Sequence, residues 1–131
     1  MVVVDTSAIM AILQSEADEA RLRARLEQAG RGIMSATNVL ELQLVISGRQ
    51  SRLGWKQAEI VMEEYEIAIR PFDERQLEVA REAAVKYGKG YHKAGLNFGD
   101  CFAYALARVE DLPLLCTGKD FAATDIAIAL D

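Results

Sequence analysis

Three valines in a row, Val2 to Val4, run directly into an acid and two hydroxyl residues, Asp5, Thr6 and Ser7. A short, β-branched stretch without alternation is the signature of a strand buried on both faces. Such strands belong to parallel sheets covered by helices. The aspartate that follows has two explanations. It caps the helix that begins there, because Asp, Thr and Ser accept hydrogen bonds from the free N–H groups of a helix start. Alternatively, it stands at the carboxyl end of a central strand, where open α/β sheets place their sites. The stretch alone leaves both open.

The rest of the chain repeats the theme. Helical periodicity is expected over Ala8 to Leu13, over Ala17 to Ala29 with Leu22 and Leu26 on one face, and over Asn38 to Ser47. It continues over Trp55 to Tyr65, with Ile60, Val61 and Tyr65 inward, over Glu74 to Tyr87 and over Phe98 to Val109. Strands are expected at Ile33 to Met34, at Ile67 to Ile69 before Pro71, at Leu114 to Cys116, and as a final alternating strand from Ile126 to Leu130. Strands separated by helices define an α/β chain with a largely parallel sheet covered on both faces. No linker, repeat or low-complexity tract divides it, and 131 residues suit one domain.

Composition removes several classes. With 51% apolar residues the chain is not disordered, and it has no apolar run of membrane-spanning length. Met1 leads directly into the first strand, with no signal-like segment ahead of it, so a cytoplasmic protein is expected. Cys101 and Cys116 lie in apolar runs and read as buried free thiols. One histidine, His92, and no CxxC pair argue against zinc. The net charge of −5 opposes simple nucleic-acid binding, yet Ala83 to Gly99 carries Lys86, Lys89 and Lys93 among Tyr87, Tyr91 and His92, without any acid. Arg49 with Arg52, and Arg21 with Arg23 and Arg25, form two smaller basic spots. A solvated face is the simplest account of each spot.

Two further acids lie where apolar residues belong. Glu41 sits within NVLELQLVI, and Asp100 within NFGDCFAYALA. Asn38 with Glu41, and Asn97 with Asp100, both have capping-box spacing. A capping acid, however, normally lies at a wet helix end, whereas these begin the most apolar helices of the chain. A carboxylate in such surroundings costs several kcal/mol unless it is paired or bound to a metal. Thr117 and Asp120, in LLCTGKDF, follow another strand. Four acids converging without a Lys or Arg partner call for a hard divalent ion, Mg²⁺ or Mn²⁺. Such an ion suits phosphodiester hydrolysis.

VVVDTSAI, the Glu41 of NVLEL, GDCFAYALA and LLCTGKDFAATDI together resemble the PIN domain, and more narrowly the VapC-type toxins of bacterial toxin–antitoxin pairs. The resemblance covers essentially the whole chain. It implies a three-layer α/β/α fold, a metal-dependent endoribonuclease that is usually dimeric, and a cognate VapB-like antitoxin whose C-terminal segment blocks the site. Carried over by motif, Asp5, Glu41 and Asp100 are the metal-binding acids, and Asp120 is the fourth. Thr6 and Ser7 match the polar pair after the first acid, and Thr117 the hydroxyl of the last motif. One departure is Lys119, where many relatives carry an acid. Asp125 is the competing choice for the fourth acid. If the final strand is parallel, Asp125 lies at its amino end, away from the site. Lys86, Lys89 and Lys93 are candidates for guiding RNA.

Two other classes fit parts of this pattern. An aspartate-based phosphotransferase also places an acid after its first strand, but commonly needs a second Asp two residues on, where this chain has Ser7. A metal-free module binding RNA or protein would have no need of all three acids.

Overall fold

The structure, a computed structural model, describes residues 1–48 and 53–130. The elements run β1 (Val2–Val4), α1 (Thr6–Leu13), α2 (Glu19–Ala29), β2 (Gly32–Ser35), α3 (Ala36–Gly48), α4 (Trp55–Glu64), β3 (Ile67–Arg70), α5 (Glu74–Tyr87), α6 (Phe98–Glu110) and β4 (Leu114–Leu115). A 3₁₀ turn, Phe121–Ala123, follows.

The four strands form one sheet in the order β3-β2-β1-β4, and every pairing is parallel. Successive side chains of a strand point to opposite faces, and the burial follows that rule. Val2, Val4, Met34 and Leu115 join the core under α1 to α4, with Leu22, Leu26, Leu42 and Val61. Val3, Ile33 and Leu114 join the core under α5 and α6, with Ala83, Tyr87, Leu106 and Phe121. The chain is thus a three-layer α/β/α structure with β1 central.

Parallel strands bring their carboxyl ends to one edge. There Asp5 follows β1, α3 starts directly after Ser35 of β2, and Thr117 lies just past β4. The Asp5 N–H donates to Leu115 O at 2.9 Å and ties the ends of the two strands together.

Several expectations are corrected. The final strand is reduced to one parallel bridge, Leu114 with Ile128, because β4 itself is only two residues long and offers almost no edge to pair with. Ile60 is 52% exposed; the inward stripe of α4 is Ala58, Val61, Met62 and Tyr65, at the spacing one helix face requires. Cys116 is buried, but Cys101 is only half-buried. Helix α3 begins at Ala36, so Asn38 lies inside it and is not its cap. Among the described residues, no helix is long and apolar enough to cross a membrane.

Candidate metal centre and active site

Asp5 does cap α1. Its Oδ2 accepts from the Ser7 N–H at 3.1 Å and the Ser7 hydroxyl at 2.6 Å. Ser7 Oγ in turn accepts from the Thr117 N–H at 3.1 Å, so the β4 loop is fastened to the first acid. The cap is made through Oδ2 of Asp5, and the Thr6 N–H is a further backbone donor to the same carboxylate. Asp100 behaves likewise. It closes a capping box on α6 in which its Oδ2 accepts from the Asn97 N–H at 3.0 Å, and its own N–H donates to Asn97 Oδ1 at 2.9 Å. In both acids the capping bonds fall on Oδ2.

Glu41 is different. It lies in the second turn of α3 and caps nothing. Its Oε1 accepts from the Thr6 hydroxyl at 2.6 Å and from Asn38 Nδ2 at 3.2 Å. Asn38 Nδ2 also donates to Gly99 O at 2.9 Å, which joins α3 to the first turn of α6.

Asp5, Thr6, Ser7, Glu41, Asn97, Asp100 and Thr117 line one cleft of about 350 Å³, and no Lys, Arg or His is among its lining residues. Burial pushes the Asp5 carboxyl up to about 6; the Ser7 hydrogen bonds oppose this and the Glu41 charge adds to it. Burial likewise raises Asp100 to about 6, reinforced by the charges of Asp5, Asp120 and Glu41. Burial, and then the charges of Asp5, Asp100 and Asp120, push the neighbouring Cys116 thiol up to about 12.

The donor set fits a hard divalent ion. The polar lining of the cleft is made of carboxylates (Asp5, Glu16, Glu41 and Asp100), the hydroxyls of Thr6, Ser7 and Thr117, and the amides of Gln14 and Asn97, with no His or Cys. Among the described residues no group of three or more His, Cys, Asp or Glu forms a ready-made ion cage. Mg²⁺ does not require one, since it keeps several waters and takes one or two carboxylates. A cradle is also present: a Cβ at position 99 would overlap the Glu41 carboxylate, so Gly99 leaves room for that group.

Asp120 does not line the cleft. It is exposed at the start of the 3₁₀ turn, beyond Gly118, whose φ of 86° makes the reversal after Thr117. Its charge still reaches Asp100 and Cys116. Asp125 lies elsewhere: it accepts from the Tyr104 hydroxyl at 2.6 Å and pairs with Arg108 at 3.3 Å. The lysines stand apart from the acids. Lys86 lies 5.1 Å from the centre of the Tyr87 ring, Lys89 flanks an apolar groove that shares Asn97 with the cleft, and Lys93 is exposed. Arg21, Arg23 and Arg25 are engaged with Asp18, with Glu19, Glu64 and Tyr65, and with Ala129 O, and so serve the fold. Arg49 and Arg52 lie outside the described residues. From the sequence Asn38 reads only as a cap, and neither Gly99 nor Glu16, an acid that also lines the cleft, stands out. The available signals were a buried amide in an apolar helix and a glycine directly before an acid.

The PIN domain family model matches residues 2–127, and the chain belongs to that family. Within it, the chain is 41% identical over 125 residues to ribonuclease VapC30 of Mycobacterium tuberculosis (strain ATCC 25618 / H37Rv), covering 95% of each sequence. The crystal structure of VapC20 of Mycobacterium tuberculosis, described as a sarcin–ricin loop cleaving toxin, shares the fold with a TM-score of 0.72 and 17% identity over 97% of each chain. A chain of a toxin–antitoxin complex from Klebsiella pneumoniae also shares it, with a TM-score of 0.67 and 17% identity over 95% of this chain and 93% of that one.

Proposed function

We propose that the chain is a VapC-type endoribonuclease toxin that depends on Mg²⁺, or Mn²⁺ in its place, and is held inactive by a cognate VapB-like antitoxin. The observation that carries this is the meeting of Asp5, Glu41 and Asp100, from three separate elements, in one cleft without a basic lining residue. Sequence relatives named VapC ribonucleases support the choice of RNA.

Each acid has one oxygen held by the protein, through Ser7 for Asp5, Thr6 and Asn38 for Glu41, and Asn97 for Asp100. In the proposed site the second oxygen of each is the one offered to a cation. A divalent ion bound there would supply Lewis acidity to the phosphodiester and an acidified water. Asp5 and Asp100, with carboxyls near pH 6, would exchange their protons for that ion around neutrality. Thr117 and Ser7 keep the β4 loop against Asp5. Asp120 is the fourth acid in this account, adding charge from the turn beyond β4. Lys86, Lys89 and Lys93 would steer the RNA backbone from outside the cleft. A location in the cytoplasm and a homodimer complete the proposal; Tyr91 and Phe98, large apolar side chains 81% and 82% exposed, are surface that a second copy would cover.

Mapping RNA ends after brief induction in a bacterial host tests it. New discrete ends are expected with the wild type and not with Glu41→Gln. No new ends from well-expressed wild type would count against a ribonuclease.

A further inference from the structure

The hydrogen bonds of Asn38 and the bare Cα of Gly99 have no role in capping and none in backbone conformation. Gly99 sits in the first turn of α6 and shows no left-handed φ, so its backbone does not require glycine. Alanine is the better helix former. What an added Cβ would meet is the Glu41 carboxylate, the mobile end of a long side chain, which would have to leave its place. Asn38 is fully buried, and its Oδ1 has no hydrogen-bond partner among the described residues. A buried amide whose acceptor goes unused is an expensive way to fill volume. Its Nδ2, by contrast, donates twice, to Glu41 Oε1 at 3.2 Å and to Gly99 O at 2.9 Å. Both acceptors fix the orientation of the amide, because the flipped form would set oxygen against oxygen.

We infer that Asn38 and Gly99 are a positioning pair for Glu41: the amide draws Oε1 toward α6, and the missing side chain lets the carboxylate lie against that helix beside Asp100. Glutamate in the second turn of α3 has three side-chain torsions and, unheld, would spread over many rotamers. Thr6 fixes the carboxylate from the β1–α1 side, and Asn38 fixes it from one turn earlier on α3, its amide tied in turn to Gly99 O of α6. Oε2 is left without a donor among the described residues. The functional half of this inference rests on the metal site proposed above; the steric half does not. Groups one step removed from a metal commonly alter its affinity by 10- to 100-fold.

Two measurements on the purified full chain test the pair. The first is folding stability of the metal-free protein in a cycle of Gly99→Ala and Glu41→Asp. Aspartate is one methylene shorter, so its carboxylate withdraws from the added methyl group. The double variant is expected to be more stable than the two single effects predict. Additive effects would overturn the inference, whatever the nuclease activity. The second is Mn²⁺ binding without RNA, followed by electron paramagnetic resonance. Gly99→Ala and Asn38→Leu should each weaken binding about tenfold or more. Leucine fills the amide's volume and removes the unused acceptor, so a purely structural Asn38 would change stability and not Mn²⁺ affinity. Wild-type affinity in both variants would overturn the positioning role. A wild type that binds no Mn²⁺, together with a non-additive stability cycle, would leave the pair holding Glu41 and contradict the metal site alone.

Discussion

The Thr6 hydroxyl and the Glu41 carboxylate are joined by a 2.6 Å hydrogen bond that spans 35 positions of chain. Thr6 opens α1 directly after the central strand, and Glu41 lies within α3, which follows the neighbouring strand. The bond therefore couples the carboxyl ends of β1 and β2 through their helices. It also shows why the Asn38–Glu41 spacing is not a capping box. Both residues point across the sheet edge, toward α1 and α6, and neither serves the start of α3.

Asp5 carries a cap on one oxygen and, in the proposed site, a metal on the other, and substitution separates the two. Asp5→Asn keeps a capping side chain and removes the buried charge. Without metal its melting temperature should equal or exceed that of the wild type, while cleavage is lost. Asp5→Ala also loses the cap, costing about 1 kcal/mol. Relief of a buried carboxylate offsets part of this loss. Thermal melts in EDTA check both, and a markedly lower midpoint for Asp5→Asn would make Asp5 a structural residue first.

The raised carboxyls of Asp5 and Asp100 imply a definite pH dependence. Each ordinarily loses its proton near 3.8 and in the folded chain does so near 6. Between these values the folded state holds more protons than the unfolded state, so rising pH removes stability. The loss from these groups is absent below about pH 4, grows to about pH 6 and is then complete; for Asp5 it is roughly 3 kcal/mol. In metal-free protein, Asp5→Asn with Asp100→Asn should therefore gain on the wild type as pH rises from 4 to 6. Saturating Mg²⁺ should reverse the order by stabilising only the wild type. Chemical denaturation across that pH range measures it, and a constant difference would contradict it.

Much of this architecture is legible in the residues, because the buried strands and Leu22, Leu26, Val61 and Tyr65 obey simple periodicities. The ends are less legible. Ile126 to Leu130 alternates like a strand, yet pairing needs a partner, and β4 offers only Leu114 and Leu115. Ile60 is apolar but falls off the α4 stripe by one position. The acids were conspicuous because each interrupts an apolar stretch. Asn38 and Gly99 were not, since their role depends on where α3 meets α6, a contact 61 positions apart in the chain.

Asp120 and Asp125 should differ sharply. Asp125 is held below the usual carboxylate range by the Tyr104 hydroxyl and then by Arg108, remote from the cleft. Asp125→Asn should leave cleavage unchanged and lower stability by about 1 kcal/mol, the value of such a hydrogen bond. Asp120→Asn should lower cleavage several-fold and raise the Mg²⁺ concentration required, with little effect on stability. Kinetics against Mg²⁺ concentration decides; the opposite pattern would remove Asp120 from the site.

Acids without a basic neighbour also attract side chains from outside. An antitoxin segment should insert an Arg or Lys among Asp5, Glu41 and Asp100, since a guanidinium pairs bidentately with carboxylates. Mg²⁺ and that segment then compete. Affinity for the antitoxin peptide, measured by calorimetry, should fall as Mg²⁺ rises and be insensitive to Mg²⁺ in Asp100→Asn. A complex in which these acids stay open to solvent would contradict the idea.

Whether Asp5, Glu41 and Asp100 make a metal-dependent ribonuclease is read directly from cleavage of mixed cellular RNA by purified protein in Mg²⁺ or in EDTA. Wild type should give discrete fragments in Mg²⁺ and none in EDTA, and Asp100→Asn, still folded, should give none in either. Fragments of equal yield in EDTA, or from Asp100→Asn at the wild-type rate, would contradict the proposal.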